Sequence, residues 1–136
     1  MKSYFYHLQL NIDFANLNFY KSLFAFVGWK TIFEMEDTIG FKSDTSGDIW
    51  LVKTKGVKPQ DRDSIGFNHV AIRVESVKEI DDINKFLHLH ENKTHAMFET
   101  PRHRPEFADN PQETYYQVMF ETPDKILFEF VYIGKK

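Results

Sequence analysis

The chain has 136 residues, 42% of them hydrophobic and fourteen of them phenylalanine, which is enough apolar surface for one packed core, so a single domain over 1–136 is expected. A net charge of −3 with no basic block argues against nucleic acid as a partner. No apolar run approaches the roughly 18–20 residues a bilayer needs, so no membrane partner is expected, and with no cysteine, disulfides and thiolate chemistry drop out together.

Polar residues interrupt MKSYFYHLQLNID, which therefore does not predict a signal peptide, and the cysteine-free chain is expected in the cytoplasm. Within that stretch Leu8, Leu10 and Ile12 alternate with His7, Gln9 and Asn11, the period-two pattern of a half-buried strand with one polar face. Asp13 or Asn16 then caps a helix carrying Leu17, Tyr20, Leu23, Phe24 and Val27, and Gly28 stops it. Three shorter strands follow, KTIFEME, IGFKS and DIWLVK. Residues 54–66, with Gly56 and Pro59 among charges, read as a linker.

Beyond the linker the pattern repeats. FNHVAIRVE, Phe67 to Glu75, overlays FYHLQLNID at a constant offset of 62 (69 − 7), placing His69 on His7 and Val70, Ile72 and Val74 on Leu8, Leu10 and Ile12. Ser76 and Glu79 form a capping box before Val77, Ile80, Ile83 and Phe86 at helical spacing. The strands THAMFE, YYQVMFE and KILFEFVY complete the copy. Each half reads β-α-β-β-β, as modules over 4–53 and 67–133, giving an α+β fold. The apolar strand faces are expected under the helices. The opposite face then carries His7-Gln9-Asn11, His69-Ala71-Arg73 and, between Phe128 and Phe130, Glu129.

Two further segments hold chemistry-bearing residues. His88, His90 and His95 in FLHLHENKTH suit the C-terminal end of a helix better than a metal, because residues two apart on a helix do not face each other. Glu99 to Thr114, ETPRHRPEFADNPQET, reads as a long connection in which Arg102, His103 and Arg104 offer positive charge to an anionic group or to a partner subunit. Arg73 is a second candidate for substrate charge, Gln9 or Asn11 for a hydrogen bond to substrate, and Tyr115, Tyr116 and Trp50 for an aromatic wall.

HLQLNIDFANLNFYKSLF, HVAIRVESVKEIDDI and FETPDKILFEFV together make the chain resemble the vicinal oxygen chelate superfamily of glyoxalase I, bleomycin-resistance proteins, fosfomycin-resistance enzymes and extradiol dioxygenases. The resemblance implies paired βαβββ modules forming a cup-shaped mixed sheet around a divalent metal (Fe, Mn, Ni, Co or Zn). Carried over, His7, His69 and Glu129 are the metal ligands; acid–base duty has no clear owner, with Glu129 itself or a nearby Tyr as the candidates. The chain departs from glyoxalase I on DIWLVK, where Ile49, Trp50, Leu51 and Val52 supply no second carboxylate. The resemblance therefore implies a metal-dependent enzyme on a small oxygenated substrate, as a homodimer. Its reaction is open among lyase or isomerase, thiol or water addition to an epoxide, and oxygenation. The alternative is a metal-free protein that sequesters a small molecule, as bleomycin-resistance proteins do.

Overall fold

In the computed structural model, which describes all residues from Met1 to Lys136, the chain divides into two units, Met1–Lys58 and Pro59–Lys136. The first contains strand β1 (His7–Ile12), a 3-10 turn (Phe14–Asn16), helix α1 (Leu17–Phe26), and strands β2 (Lys30–Glu34), β3 (Thr38–Lys42) and β4 (Asp48–Lys53). The second contains β5 (His69–Val74), α2 (Val77–Leu89), β6 (His95–His103), a 3-10 turn (Pro105–Phe107), β7 (Glu113–Glu121) and β8 (Leu127–Lys135). Each unit is thus an α+β module with one four-stranded mixed sheet, ordered β1-β4-β3-β2 and β5-β8-β7-β6, its first and last strands parallel and the others antiparallel. No helix is long and apolar enough to cross a membrane.

Alternation decides which face each helix covers. In the first unit Leu10, Ile39, Phe41, Ile49 and Leu51 are buried on one face, and the Phe24 ring of α1 stacks on Phe41 at 4.6 Å between centroids. In the second, Ile80, Ile83 and Leu87 of α2 are buried with Val70, Ile72, Val118, Phe120, Phe128 and Phe130. Each such side chain contributes about 1.5–3 kcal/mol when fully buried, so these apolar faces, and not helix propensity, hold the modules together.

Helix entry follows the sequence with two refinements. Ser76 Oγ accepts the Glu79 N–H at 3.2 Å, while the Glu79 carboxylate reaches one residue further back, to the Glu75 N–H at 2.8 Å. In the first unit Asp13 caps the 3-10 turn through the Ala15 N–H at 2.9 Å, and Asn16 precedes α1 without a side-chain cap bond.

The segment 99–114 is less irregular than its composition suggests. β6 continues to His103 by absorbing a bulge between Met97 and Arg102, which pair with Met119 and Gln117, so five steps on one strand match two on the other. Phe98 and Glu99 take positive φ there, and Thr100–Pro101 is a cis peptide. Thr100 Oγ1 fills the interrupted ladder, accepting the Met119 N–H and donating to the Met97 carbonyl, both at 2.8 Å. This odd offset shifts the phase of the strand. It turns Arg102 toward the face opposite α2 and His103 toward the helix-covered face.

Candidate functional site

The sheet face opposite α2 gathers the chemistry of the second unit. β5 and β8 pair with Ala71 opposite Glu129, so His69 and Glu129 stand on adjacent strands of one face. His69 Nε2 lies 3.2 Å from Glu129 Oε2. The carboxylate is 3% exposed, and its second oxygen, Oε1, accepts the Tyr115 hydroxyl at 2.7 Å. Burial first, and then this bond to Glu129, push the Tyr115 hydroxyl pKa well above the usual tyrosine value, so it remains a donor across the ordinary pH range.

The orientation of His69 follows from its other nitrogen. Asn68 Oδ1 sits 2.8 Å from His69 Nδ1, and the Asn68 amide is oriented by donating from Nδ2 to the Arg62 carbonyl at 2.9 Å. An amide oxygen only accepts, so Nδ1 is the donor to Asn68, and Nε2 is the nitrogen that faces Glu129, able to bind a cation through its lone pair or to donate to the carboxylate when it carries a proton. Arg62 is itself held by an ion pair with Glu121. Residues expected to be a plain linker therefore set the orientation of a site histidine. Asn68 carried no signal of this in the sequence beyond its place before a strand histidine.

Arg104 donates its backbone N–H to the Tyr115 carbonyl at 2.7 Å, continuing the β6–β7 register, so its side chain shares the face of Tyr115. Its guanidinium lies over the Phe107 ring at 5.3 Å, and that ring meets Tyr115 edge-on at 5.5 Å. Arg102 approaches Glu99 at 3.7 Å, and Arg73 donates to the Ile133 carbonyl at 2.8 Å. His103 instead pairs with Thr114 Oγ1 at 2.6 Å and packs on Tyr116, whose hydroxyl donates to Asp81 of α2 at 2.9 Å. His90 donates to the Phe86 carbonyl at 2.8 Å and stacks on the Phe86 ring, a helix-end role. Gln117 lies on the Glu129 face and is 2% exposed; sequence patterning did not single it out.

In the first unit the corresponding face is chemically different. His7 pairs with Asp48 and Gln9 with Trp50, just as His69 pairs with Leu127 and Ala71 with Glu129. The register therefore puts Trp50 where the second unit has Glu129, and Gly40 opposite Trp50 where the second has Met119. The indole covers Gly40 so closely that a Cβ there would lie 3.0 Å from the ring. Asp48, beside His7 on this face and 5% exposed, is the unit's buried carboxylate; it opens DIWLVK one residue before Ile49, and Lys42 Nζ is 3.9 Å from it. His7 packs edge-on against Tyr6 at 5.3 Å, and Gln9 is exposed.

The donor chemistry at His69 and Glu129 fits a borderline divalent cation. An imidazole nitrogen and a carboxylate oxygen face each other at 3.2 Å, the spacing of neighbouring ligands whose bonds to one ion are about 2.1 Å. No set of three or more His, Asp or Glu side chains is already gathered for a metal.

No family model matches the sequence, and no curated protein matches it. The fold does match solved structures. A glyoxalase candidate from Bacillus halodurans superposes with a TM-score of 0.74 over 93% of each chain at 21% identity. Lactoylglutathione lyase from Agrobacterium tumefaciens gives 0.65 over 97% of this chain and 95% of its own at 17% identity. The fosfomycin resistance protein FosX from Listeria monocytogenes gives 0.65 over the same shares at 16%. The protein has the glyoxalase/bleomycin resistance/dioxygenase fold. The superfamily resemblance carried by its strands and helices holds at that level.

Proposed function

We propose that the protein is a divalent-metal-dependent enzyme acting on a small oxygenated substrate, with His69 and Glu129 as metal ligands. The observation that carries this reading is the Nε2–Oε2 approach at 3.2 Å with His69 Nδ1 held by Asn68. A bound cation supplies a Lewis acid and a template for substrate oxygens. The chain's own residues do the rest. Tyr115 holds Glu129 Oε1 and so leaves Oε2 for the ion, Asn68 holds the imidazole plane, and Arg104 and Arg102 bring positive charge to the same face. Arg73, on the same sheet face as His69, completes this unit's substrate-binding set. The repeat makes His7 the third-ligand candidate and Gln9 a substrate-binding candidate, both on the first unit, and Glu129 or a nearby tyrosine is the candidate for proton transfer.

Metal per chain on untagged protein, measured by mass spectrometry after exposure to Fe(II), Mn(II), Co(II), Ni(II) or Zn(II), tests this. Near one ion per chain is expected for the parent, and at least tenfold less for His69→Ala and Glu129→Ala, with His7→Ala testing the third ligand by itself. A parent that stays metal-free removes the reading. The second reading, a metal-free binder of a small molecule, then stands, because a proton on His69 Nε2 lets it donate directly to Glu129 and Phe107 with Tyr115 offers an apolar wall.

A further inference from the structure

Gln117 holds an anomaly. Its side-chain nitrogen is buried without a hydrogen-bond partner, although amides enclosed in a protein are nearly always paired. The residue sits on β7 opposite Val131, between Tyr115 and Met119, and so shares the face that carries His69 and Glu129. Tyr115 is opposite Ile133, yet its hydroxyl bonds Glu129, so the two side chains reach toward each other along the sheet across the Gln117 row. The second enclosed nitrogen without a hydrogen bond is Arg104 Nε, which is ion-paired with Glu106 Oε1 at 3.5 Å but makes no hydrogen bond to it. Both unmet groups are donors, both lie on one face, and both flank Tyr115. Two enclosed N–H groups left unmet beside a carboxylate–imidazole pair are the complement of an acceptor-rich group, and the guanidinium adds positive charge.

We infer that Gln117 and Arg104 bind an oxyanion of the small molecule accommodated on the His69/Glu129 face, Gln117 donating from Nε2 and Arg104 from Nε, so that the ligand carries a carboxylate or phosphonate. This specifies the ligand class of the site proposed above and rests on that placement, but not on a metal being present. Gln117→Met keeps the shape and removes the unmet donor. If the amide only shaped the fold, the change would lower the melting temperature and leave binding alone.

The test titrates glycolate, methylphosphonate and the neutral glycolamide into the full chain, as parent, Gln117→Met and Arg104→Met. Side-chain amide resonances, melting temperature and metal content are read on the same samples. The expected result is that one or both anions shift the Gln117 amide resonances of the parent and glycolamide does not. Gln117→Met should melt at or above the parent yet bind the anion about tenfold or more weakly, and Arg104→Met should also weaken it. Binding by carboxylate alone or phosphonate alone identifies which oxyanion is meant. No anion binding by the parent, equal binding of glycolamide, or a lower melting temperature with unchanged affinity overturns the inference. Anion binding by metal-free protein upholds it even where the metal reading fails. Full metal content with anion affinity unchanged in both variants removes it and leaves the metal reading intact.

Discussion

Tyr116 shows how neighbouring tyrosines on one strand take different work. Its hydroxyl donates to Asp81, and burial first, then that bond, push its pKa up to about 12. The folded value lies above the ordinary value of about 10, so the folded protein holds this proton more tightly than the unfolded chain. The stability it contributes is complete below about pH 10 and is lost as pH climbs toward 12. Melting curves between about pH 9 and 11.5 should therefore fall more steeply for the parent than for Tyr116→Phe, which starts about 1 kcal/mol less stable from the lost hydrogen bond. Parallel curves would refute the assignment. Lysine titration is common to both proteins and cancels in the comparison. Tyr115, one residue earlier and on the opposite face, spends its hydroxyl on Glu129 instead.

Among the elements, β4 and β6 mark where sequence reasoning reached and where it stopped. The strand DIWLVK falls on Asp48–Lys53 with Ile49 and Leu51 inward, because alternation is a local property. Which residue faces which is not local. Only pairing shows that Trp50 stands in for a carboxylate and that Asp48 neighbours His7. In β6 plain alternation parts three successive basic residues, Arg102 and Arg104 to one face and His103 to the other, and the bulge decides which face each takes; nothing in PRHRPE announces that choice. Asn68 and Gln117 were invisible for a related reason, since one matters through a ring nitrogen's partner and the other through having none. The Gly40–Trp50 pair is testable as a unit. Gly40→Ala should destabilise the parent, where its Cβ meets the indole, and cost about 1 kcal/mol less in a Trp50→Ala background. Additive effects in that double-mutant cycle, read by urea unfolding, would show that the close approach carries no energy.

For the molecule as a whole, the unburied apolar side chains matter most. Tyr4, Phe5 and Tyr6 are largely exposed, as are Ile32, Phe33 and Met35 on and after β2, whose backbone forms a sheet edge. Solvent-facing aromatics and aliphatics of this kind mark surfaces that associate, and a second copy of the chain is the partner proposed here. Light scattering should return about 32 kDa, twice the 16.2 kDa chain, and a monomer at micromolar concentration would rule the dimer out. The parallel pairing of β5 with β8 bears on timing. His69 and Glu129 are 60 residues apart (129 − 69), on the first and last strands of their unit, and meet only when its longest chain closure is made. Such closures come late, because their entropic cost precedes any contact that offsets it. A chain still emerging during synthesis therefore carries the histidine long before the carboxylate, and the His69–Glu129 pair arrives in one step with the finished module.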